Sequence, residues 1–179
     1  MPAREHAFSD ALPARLYLDV DIAIEVLVES EPHHLRCREF IERLTSHGTR
    51  LFVSPLLWLE FLNAVSREAF RQRLSDEFCG RYRLERWQRP ITRQVYLDEM
   101  VHRLDDLIGH FEWFEVGLTP AIRAEAYNHV TNFNLRPIDA AHLATARSVG
   151  VNEIASLDEA FRRVNDLELW NDLVHDRLT

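Results

Sequence analysis

The chain of 179 residues contains no lysine, because all 21 of its lysine-plus-arginine residues are arginine. Every catalytic scheme that needs a lysine is therefore excluded. The 5 glycines are too few to favour an all-β protein with many tight turns, and the 2 cysteines have neither metal-site spacing nor the density of a disulfide scaffold. No stretch approaches about 18 uncharged apolar residues, and the N-terminus has no apolar signal-peptide core. These absences predict a cytoplasmic protein without a membrane span.

Charge is distributed unevenly along the chain. The formal net charge of −8 argues against non-specific binding of nucleic acid through bulk charge. Residues 67–93, in contrast, contain eight arginines against four acidic residues. We expect this arginine-rich segment to begin as a helix and to break near Gly80 and Pro90.

The arginine-rich segment has two interpretations. Arginine grips phosphate through paired hydrogen bonds, and Tyr82 and Trp87 are suited to stacking on unpaired bases. In this interpretation the substrate-binding residues are Arg81, Arg83, Arg86 and Arg89. In the other, the segment is a solvated helical face with salt bridges to Asp76, Glu77 and Glu85. The sequence leaves both interpretations open.

Short apolar strands alternate with helical patterns along most of the chain. Strands are predicted at 16–18, 51–53, 111–116, 154–155 and 167–170. Helix starts are predicted at Pro55, Pro120 and Pro137. This alternation predicts an α/β domain with a mainly parallel sheet flanked by helices. We assign a single domain to residues 16–179 and expect residues 1–15 to form a flexible N-terminal extension.

Four acidic residues interrupt apolar runs at separate points of the chain: Asp19, Glu60, Asp139 and Asp158. A carboxylate beside a core is costly unless a positive group pairs with it, and four of them suggest a shared divalent cation. Ligands bind beyond the carboxyl ends of the strands in parallel sheets, and Asp19 directly follows the first predicted strand. We therefore expect all four side chains at one end of the sheet. Their mutual repulsion without a cation predicts raised pKa values.

The sequence around these residues resembles PIN-domain ribonucleases, and especially the VapC-type toxins. LYLDVDIAI is similar to the family's first motif, an apolar strand ending in Asp, and SPLLWLEFLNAV is similar to the second, a helix with a lone Glu. The strongest similarity lies in RPIDAAHLATA followed by SLDEAF. The resemblance covers about residues 16–170 apart from the middle, and the motifs stand in the family's order.

The resemblance implies a three-layer PIN-like fold and a metal-dependent endoribonuclease. The catalytic residues and the ligands of Mg²⁺ or Mn²⁺ would be Asp19, Glu60, Asp139 and Asp158. Water activated by the metal would cut RNA, leaving a 5′-phosphate. The protein would be the toxin of a toxin–antitoxin pair, with a small antitoxin as partner and a homodimer as its assembly. Asp21 departs from the usual Asn or Ser and is either a fifth carboxylate or a helix cap.

Each candidate residue also has a purely structural explanation. Asp19 and Asp158 could cap helices, Asp139 could interact with a helix dipole, and Glu60 could face solvent. His142 lies one helical turn from Asp139, and we interpret it as a packed, hydrogen-bonded residue rather than a ligand. Convergence of the four carboxylates would favour the metal site.

Two other functions are compatible with parts of the sequence. Asp19-Val-Asp21 after an apolar strand resembles the nucleophile motif of haloacid-dehalogenase-type phosphatases, but that chemistry normally uses a lysine, which the chain lacks. The domain could also be a non-catalytic PIN-like binding module whose acidic pocket only contacts a partner. The presence of all four acidic residues favours the enzyme.

Overall fold

The computed structural model describes residues 1–76 and 90–171, and six strands in this part of the chain form one sheet. The strands are Arg4–His6 (β1), Arg15–Leu18 (β2), Arg50–Val53 (β3), Trp113–Glu115 (β4), Glu153–Ala155 (β5) and Glu168–Trp170 (β6). Their order is β1-β6-β5-β2-β3-β4, and every neighbouring pair is parallel. The predicted parallel sheet is confirmed.

Helices occupy most of the chain between the strands. They are Val20–Leu27 (α1), His34–His47 (α2), Pro55–Asp76 (α3), Pro90–Gly109 (α4), Pro120–Phe133 (α5) and Pro137–Ser148 (α6), with a 3₁₀ helix at Glu159–Arg163. None of the described helices combines the length and the apolar character needed to cross a bilayer.

The sheet separates two clusters of buried side chains. Leu16 and Leu18 of β2 belong to a cluster with α1, α2, α3 and α4, whereas Tyr17 between them belongs to a cluster with α5 and α6. Successive side chains of a strand point to opposite faces of the sheet. The two groups of helices therefore cover opposite faces, and the predicted three-layer arrangement is confirmed.

The helix boundaries follow local chemistry. The Thr119 hydroxyl accepts a 3.2 Å hydrogen bond from the backbone N–H of Ile122, and α5 begins at the intervening proline. Gly48 ends α2 in the left-handed conformation, with φ of 76°. In the arginine-rich segment, α3 continues to Asp76 and α4 begins at Pro90, while the predicted break near residue 80 lies outside the described residues.

The N-terminal residues differ from the predicted flexible extension. β1 pairs in parallel with β6 at the edge of the sheet, and Phe8 is buried against Phe40, with ring centroids 4.0 Å apart. Arg43 also donates a 3.0 Å hydrogen bond to the carbonyl of Asp10. An edge strand of three largely solvated residues has no apolar alternation, so its sequence contains no recognisable strand signal.

Candidate metal centre

The carboxyl ends of the two central strands bring Asp19 and Ser156 together. Leu18 and Ala155 are register partners at the ends of β2 and β5, so the residues that follow them meet at one edge of the sheet. The Ser156 hydroxyl donates a 2.7 Å hydrogen bond to Asp19 Oδ2. Asp19 Oδ1 accepts a 2.8 Å bond from the N–H of Val20 and caps α1. Asp19 is therefore both a helix cap and a fixed, buried carboxylate.

Glu60 and His142 reach this edge from opposite faces of the sheet. Glu60 lies on α3 and His142 on α6, and the two helices pack on different faces. His142 Nε2 lies 2.6 Å from Glu60 Oε2 and 3.8 Å from Asp19 Oδ1. One potential ligand atom from each of the three residues lies within 4.8 Å of the others. We call Asp19, Glu60 and His142 the histidine group.

A buried tyrosine orients the imidazole of His142. The Tyr17 hydroxyl lies 2.8 Å from His142 Nδ1, and both side chains are buried. Burial raises the pKa of the Tyr17 phenol well above its ordinary value, so this side chain stays a neutral hydroxyl. The contact at Nδ1 leaves Nε2 facing the two carboxylates.

Opposing effects act on the proton of His142. Burial lowers the pKa of His142, but the hydrogen bond to Glu60 and the negative charges of Asp19, Glu60 and Asp139 outweigh it, so the pKa of His142 lies above its ordinary value. The carboxylates around the imidazole thus favour its protonated, positively charged form.

Arg136, at the start of α6, holds Asp139 and Asp158 together. Its Nε donates a 2.9 Å hydrogen bond to Asp139 Oδ2, and its Nη2 donates to Asp158 Oδ2. The Arg136 side chain is 73% exposed, whereas that of Asp139 is 10% exposed. Asp158 also caps the 3₁₀ helix by accepting a 2.8 Å bond from the N–H of Ala160. We call Arg136, Asp139 and Asp158 the arginine group.

A hydrogen-bond bridge through Ser156 and an electrostatic interaction connect the histidine group to the arginine group. Ser156, which donates to Asp19, also accepts a 3.0 Å hydrogen bond from the N–H of Asp158. Burial raises the pKa of the Asp139 carboxyl; Arg136 opposes this effect, and the charges of Asp158 and Asp19 add to it. The pKa of Asp139 is thus raised in the predicted direction, but burial is the main cause and repulsion between carboxylates only adds to it.

The four predicted carboxylates thus lie along one edge of the sheet, divided between two groups. His142 is buried and hydrogen-bonded, as expected from the sequence, but its partners are carboxylates of the site itself. The sequence feature that could have placed His142 in the site is its spacing of three residues from Asp139, because residues at this spacing lie on one face of a helix. The predicted substrate-binding residues, Arg81, Arg83, Arg86 and Arg89, lie outside the described residues.

Asp21 stabilises the loop that follows β5 through hydrogen bonds. Its Oδ2 accepts a hydrogen bond of 2.7 Å from the N–H of Leu157 and lies 3.0 Å from the hydroxyl oxygen of Ser156, and its Oδ1 accepts one of 2.7 Å from the N–H of Ile22. Burial and then the charge of Asp19 raise the pKa of Asp21. The helix cap is Asp19, and Asp21 supports the loop that carries Ser156.

The donor atoms of the histidine group fit a divalent cation. Carboxylate oxygens suit Mg²⁺ and Mn²⁺, and imidazole nitrogen suits transition metals. Two ligand atoms on opposite sides of one cation, each about 2.1 Å away from it, lie about 4.2 Å apart. The three potential ligand atoms lie within 4.8 Å of one another. Adjacent ligands of an octahedral cation lie about 3.0 Å apart, so His142 Nε2 and Glu60 Oε2, now 2.6 Å apart, would have to move slightly apart to admit a cation.

A relative that is named as a ribonuclease aligns with most of the chain. Ribonuclease VapC6 of Methanocaldococcus jannaschii is 24% identical over 163 residues, which cover 88% of this chain and 97% of the relative.

Two solved structures share the fold at low sequence identity. VapBC2 from Rickettsia felis, bound to a DNA fragment from its promoter, has a TM-score of 0.56 and 12% identity, covering 88% of this chain and 98% of that chain. Mycobacterium tuberculosis VapC20, a sarcin-ricin loop cleaving toxin, has a TM-score of 0.52 and 14% identity, covering 82% of this chain and 92% of that chain.

The family assignment follows from a match along most of the sequence. Residues 16–167 match the model of the PIN domain family. The matched range includes β2 to β5, both groups of candidate site residues and the loop that joins them. This protein therefore belongs to the PIN domain family.

Proposed function

We propose that the protein is a metal-dependent endoribonuclease and the toxin of a toxin–antitoxin pair. The observation that carries the proposal is the meeting of Asp19 and Glu60, from separate elements, at the carboxyl edge of a PIN-domain sheet. Asp139 and Asp158 lie beside them. Similarity to ribonuclease VapC6 supports RNA as the substrate. Family membership gives no support to the phosphatase alternative.

We propose Mg²⁺ or Mn²⁺ as the cofactor, held by Asp19, Glu60, Asp139 and Asp158. A divalent cation in such a site lowers the pKa of water and stabilises the charge that develops on phosphate during hydrolysis. The chain's own residues supply the rigid frame: Ser156 and the first turn of α1 fix Asp19, and α3 carries Glu60. Because carboxylates alone repel a phosphate, the scissile phosphate would approach this edge only with the cation in place.

Arg136 has to release Asp139 and Asp158 before they join the same cation as Asp19. The exposed guanidinium can turn into solvent, where it is well hydrated. In that position its planar donors suit a phosphate of bound RNA. When the cation and RNA bind, Arg136 would therefore lose its hydrogen bonds to Asp139 and Asp158 and gain hydrogen bonds to one phosphate of the RNA.

We also propose a small cognate antitoxin, a homodimer and a cytoplasmic location. The similarity in fold to R. felis VapBC2 supports the antitoxin as a partner. An antitoxin that inhibits cleavage would cover the acidic edge of the sheet, and a cationic side chain would complement its charge.

The arginine-rich segment is proposed to bind RNA. Replacing Arg81, Arg83, Arg86 and Arg89 together by Gln should weaken RNA binding and flatten its dependence on salt, since each phosphate contact releases counterions. Binding to a fluorescent single-stranded RNA at several salt concentrations measures both quantities. Unchanged affinity and salt slope would assign these arginines to the solvated-face interpretation.

The central experiment is incubation of the purified protein with total RNA and Mg²⁺ or Mn²⁺, followed by mapping of the fragment ends. We expect endonucleolytic cuts that EDTA stops and that leave 5′-phosphates. Asp19→Asn and Asp139→Asn should each abolish cleavage while circular dichroism shows a folded protein. Asp98→Asn, the same chemical change at an exposed position of α4, serves as the matched control and should cleave normally.

The non-catalytic binding module has one observation in its favour. His142 and Arg136 already pair with the four carboxylates, so part of the negative charge of the acidic edge is offset without a cation. Cleavage that persists in both Asn variants would assign the activity to a contaminant. A folded wild-type protein that cuts no RNA with either metal would favour the binding module.

A further inference from the structure

The position of His142 within the carboxylates is not required by a site made only of oxygen ligands. Its Nε2 lies within hydrogen-bond distance of Glu60 and 3.8 Å from Asp19, and its side chain is 1% exposed. A buried ring in this place excludes water from a position next to both carboxylates. The nitrogen therefore lies where it could coordinate a cation that is bound by Asp19 and Glu60.

The second nitrogen of the ring has the partner that metal-binding histidines typically have. A ligating histidine usually makes a hydrogen bond through its other ring N–H, which fixes the tautomer and the ring orientation. Here Nδ1 lies 2.8 Å from the hydroxyl of Tyr17, and the two rings meet edge to face with centroids 5.7 Å apart. When Nδ1–H donates to the tyrosine oxygen, the lone pair of Nε2 points to the carboxylates.

Donor type then determines which cation the site prefers. Mg²⁺ prefers oxygen ligands and retains several waters. Imidazole nitrogen suits the first-row transition metals, most strongly the later ones, and of the two candidate cations only Mn²⁺ belongs to that row, as its weakest binder. On the basis of the function proposed above, we propose that His142 Nε2 is a ligand of the catalytic cation and that it makes the site select Mn²⁺ over Mg²⁺. Tyr17 acts as a positioning residue, because it holds the ring without reaching the cation. The proton that Nε2 donates to Glu60 passes to solvent when the nitrogen binds the metal.

The direct test is pulsed electron paramagnetic resonance on the full-length protein, stripped with EDTA and loaded with Mn²⁺. We expect a hyperfine coupling from a coordinated imidazole ¹⁴N. His142→Gln should remove it, because the glutamine amide can still donate to Glu60 but brings no imidazole to the cation. His129→Gln, which alters another buried histidine on α5, is the matched control and should keep the signal.

Wild-type protein that contains ¹⁵N-labelled histidine keeps the test valid if the variant does not fold. The nitrogen coupling should change from the ¹⁴N to the ¹⁵N pattern. Absence of any nitrogen coupling in the wild type, or its persistence in folded His142→Gln protein, would overturn the assignment.

Metal affinities measured by calorimetry separate a ligand from a merely structural residue. Loss of an outer partner of a metal ligand typically costs about 10- to 100-fold in affinity, so His142→Gln should weaken Mn²⁺ binding by at least this factor. Mg²⁺ binding should change much less, and the Mn²⁺/Mg²⁺ affinity ratio should fall. Tyr17→Phe should lower the same ratio by a smaller factor. Equal losses for both metals would show that His142 only supports the fold and would refute the proposed selectivity.

The ligand assignment and the proposed ribonuclease function can fail separately. Cleavage that needs Asp19 but runs in a protein without nitrogen coupling would refute the role of His142 alone. Nitrogen coupling in a protein that cuts no RNA would refute the nuclease function and leave the ligand assignment intact.

Discussion

The histidine group and the arginine group each bring two carboxylates to one positive side chain, but they do so in opposite ways. In the histidine group the central side chain is 1% exposed and is held from both sides, by Tyr17 and by Glu60. In the arginine group the central side chain, that of Arg136, is 73% exposed and extends into solvent from the start of α6. One half of the candidate site is therefore a fixed frame, and the other half is closed by an exposed side chain that, in the proposed function, a cation or a phosphate would displace.

The energetic consequences of the two arrangements differ accordingly. An exposed ion pair contributes about 0 to 1 kcal/mol, because water and salt screen it. Removing one partner of a buried pair typically costs about 3 to 5 kcal/mol, because a desolvated charge is left behind. Substitutions in the histidine group should therefore lower the stability of the fold, whereas substitutions in the arginine group should mainly change the binding of the cation and the phosphate.

The largest expected difference lies in the rate of RNA cleavage. Asp19→Asn should lower it by on the order of 10³-fold or more, because the site would lose a fixed ligand of the cation that stabilises the charge of the transition state. Asp158→Asn should lower it by about 10- to 100-fold, as expected for a more weakly held ligand. Single-turnover cleavage of one short RNA at saturating Mn²⁺ compares the two. Equal losses would contradict the division into a fixed and a displaceable half.

Metal removal should reveal the same difference in stability. With Mn²⁺ at about 100 times its dissociation constant, the folded wild-type protein should gain about 2.7 kcal/mol over the protein in EDTA. At the same Mn²⁺ concentration, Asp158→Asn should keep part of this gain, whereas Asp19→Asn should lose it. Thermal unfolding followed by circular dichroism measures the effect. A complete loss in Asp158→Asn would instead make the arginine group the main site of binding.

Substitution of Arg136 should have opposite effects on stability and on metal binding. Arg136→Gln should destabilise the protein in EDTA by less than about 1 kcal/mol, since the ion pairs are largely exposed. The same variant should bind Mn²⁺ more tightly, because the guanidinium no longer competes for Asp139 and Asp158. Arg136→Lys, which keeps the charge, should bind Mn²⁺ more weakly than Arg136→Gln. Weaker binding in Arg136→Gln than in the wild type would show that Arg136 supports the site rather than competing for it.

The smallest expected effect is a pH dependence of stability that only the histidine group shows. The pKa of His142 is raised by its carboxylate partners despite burial, so the folded protein holds this proton more tightly than the unfolded chain does. The contribution of His142 to stability is therefore complete below its unfolded pKa of about 6.5 and is lost as pH rises through the higher folded pKa.

Urea unfolding in EDTA, at several pH values from 6 upward, measures this contribution as the difference between the wild type and His142→Gln. The difference should shrink as pH rises. Arg136→Gln should differ from the wild type by the same amount throughout this range, since a guanidinium does not titrate there. A difference for His142→Gln that stays constant with pH would contradict the raised pKa.

The parts of the fold that local chemistry controls were predictable from the sequence. Apolar runs marked the strands from residue 16 onward, and Thr119 followed by a proline marked the start of α5. Asp19 was predictable as a site residue because it directly follows a buried strand, whose carboxyl end must face the ligand edge of a parallel sheet. β1 was not predictable, because its residues are solvated and gain their order from pairing with β6.

The sequence by itself determined which residue types are present, the order of strands and helices, and the four carboxylates that stand beside apolar runs. Only the tertiary structure decided their partners. His142 and Glu60 are 82 residues apart, on helices that cover opposite faces of the sheet, and they meet only because both helices approach its carboxyl edge. Hydrophobic periodicity specifies which face of a helix is buried, but the pairing of polar side chains at the ends of helices depends on how the layers are stacked.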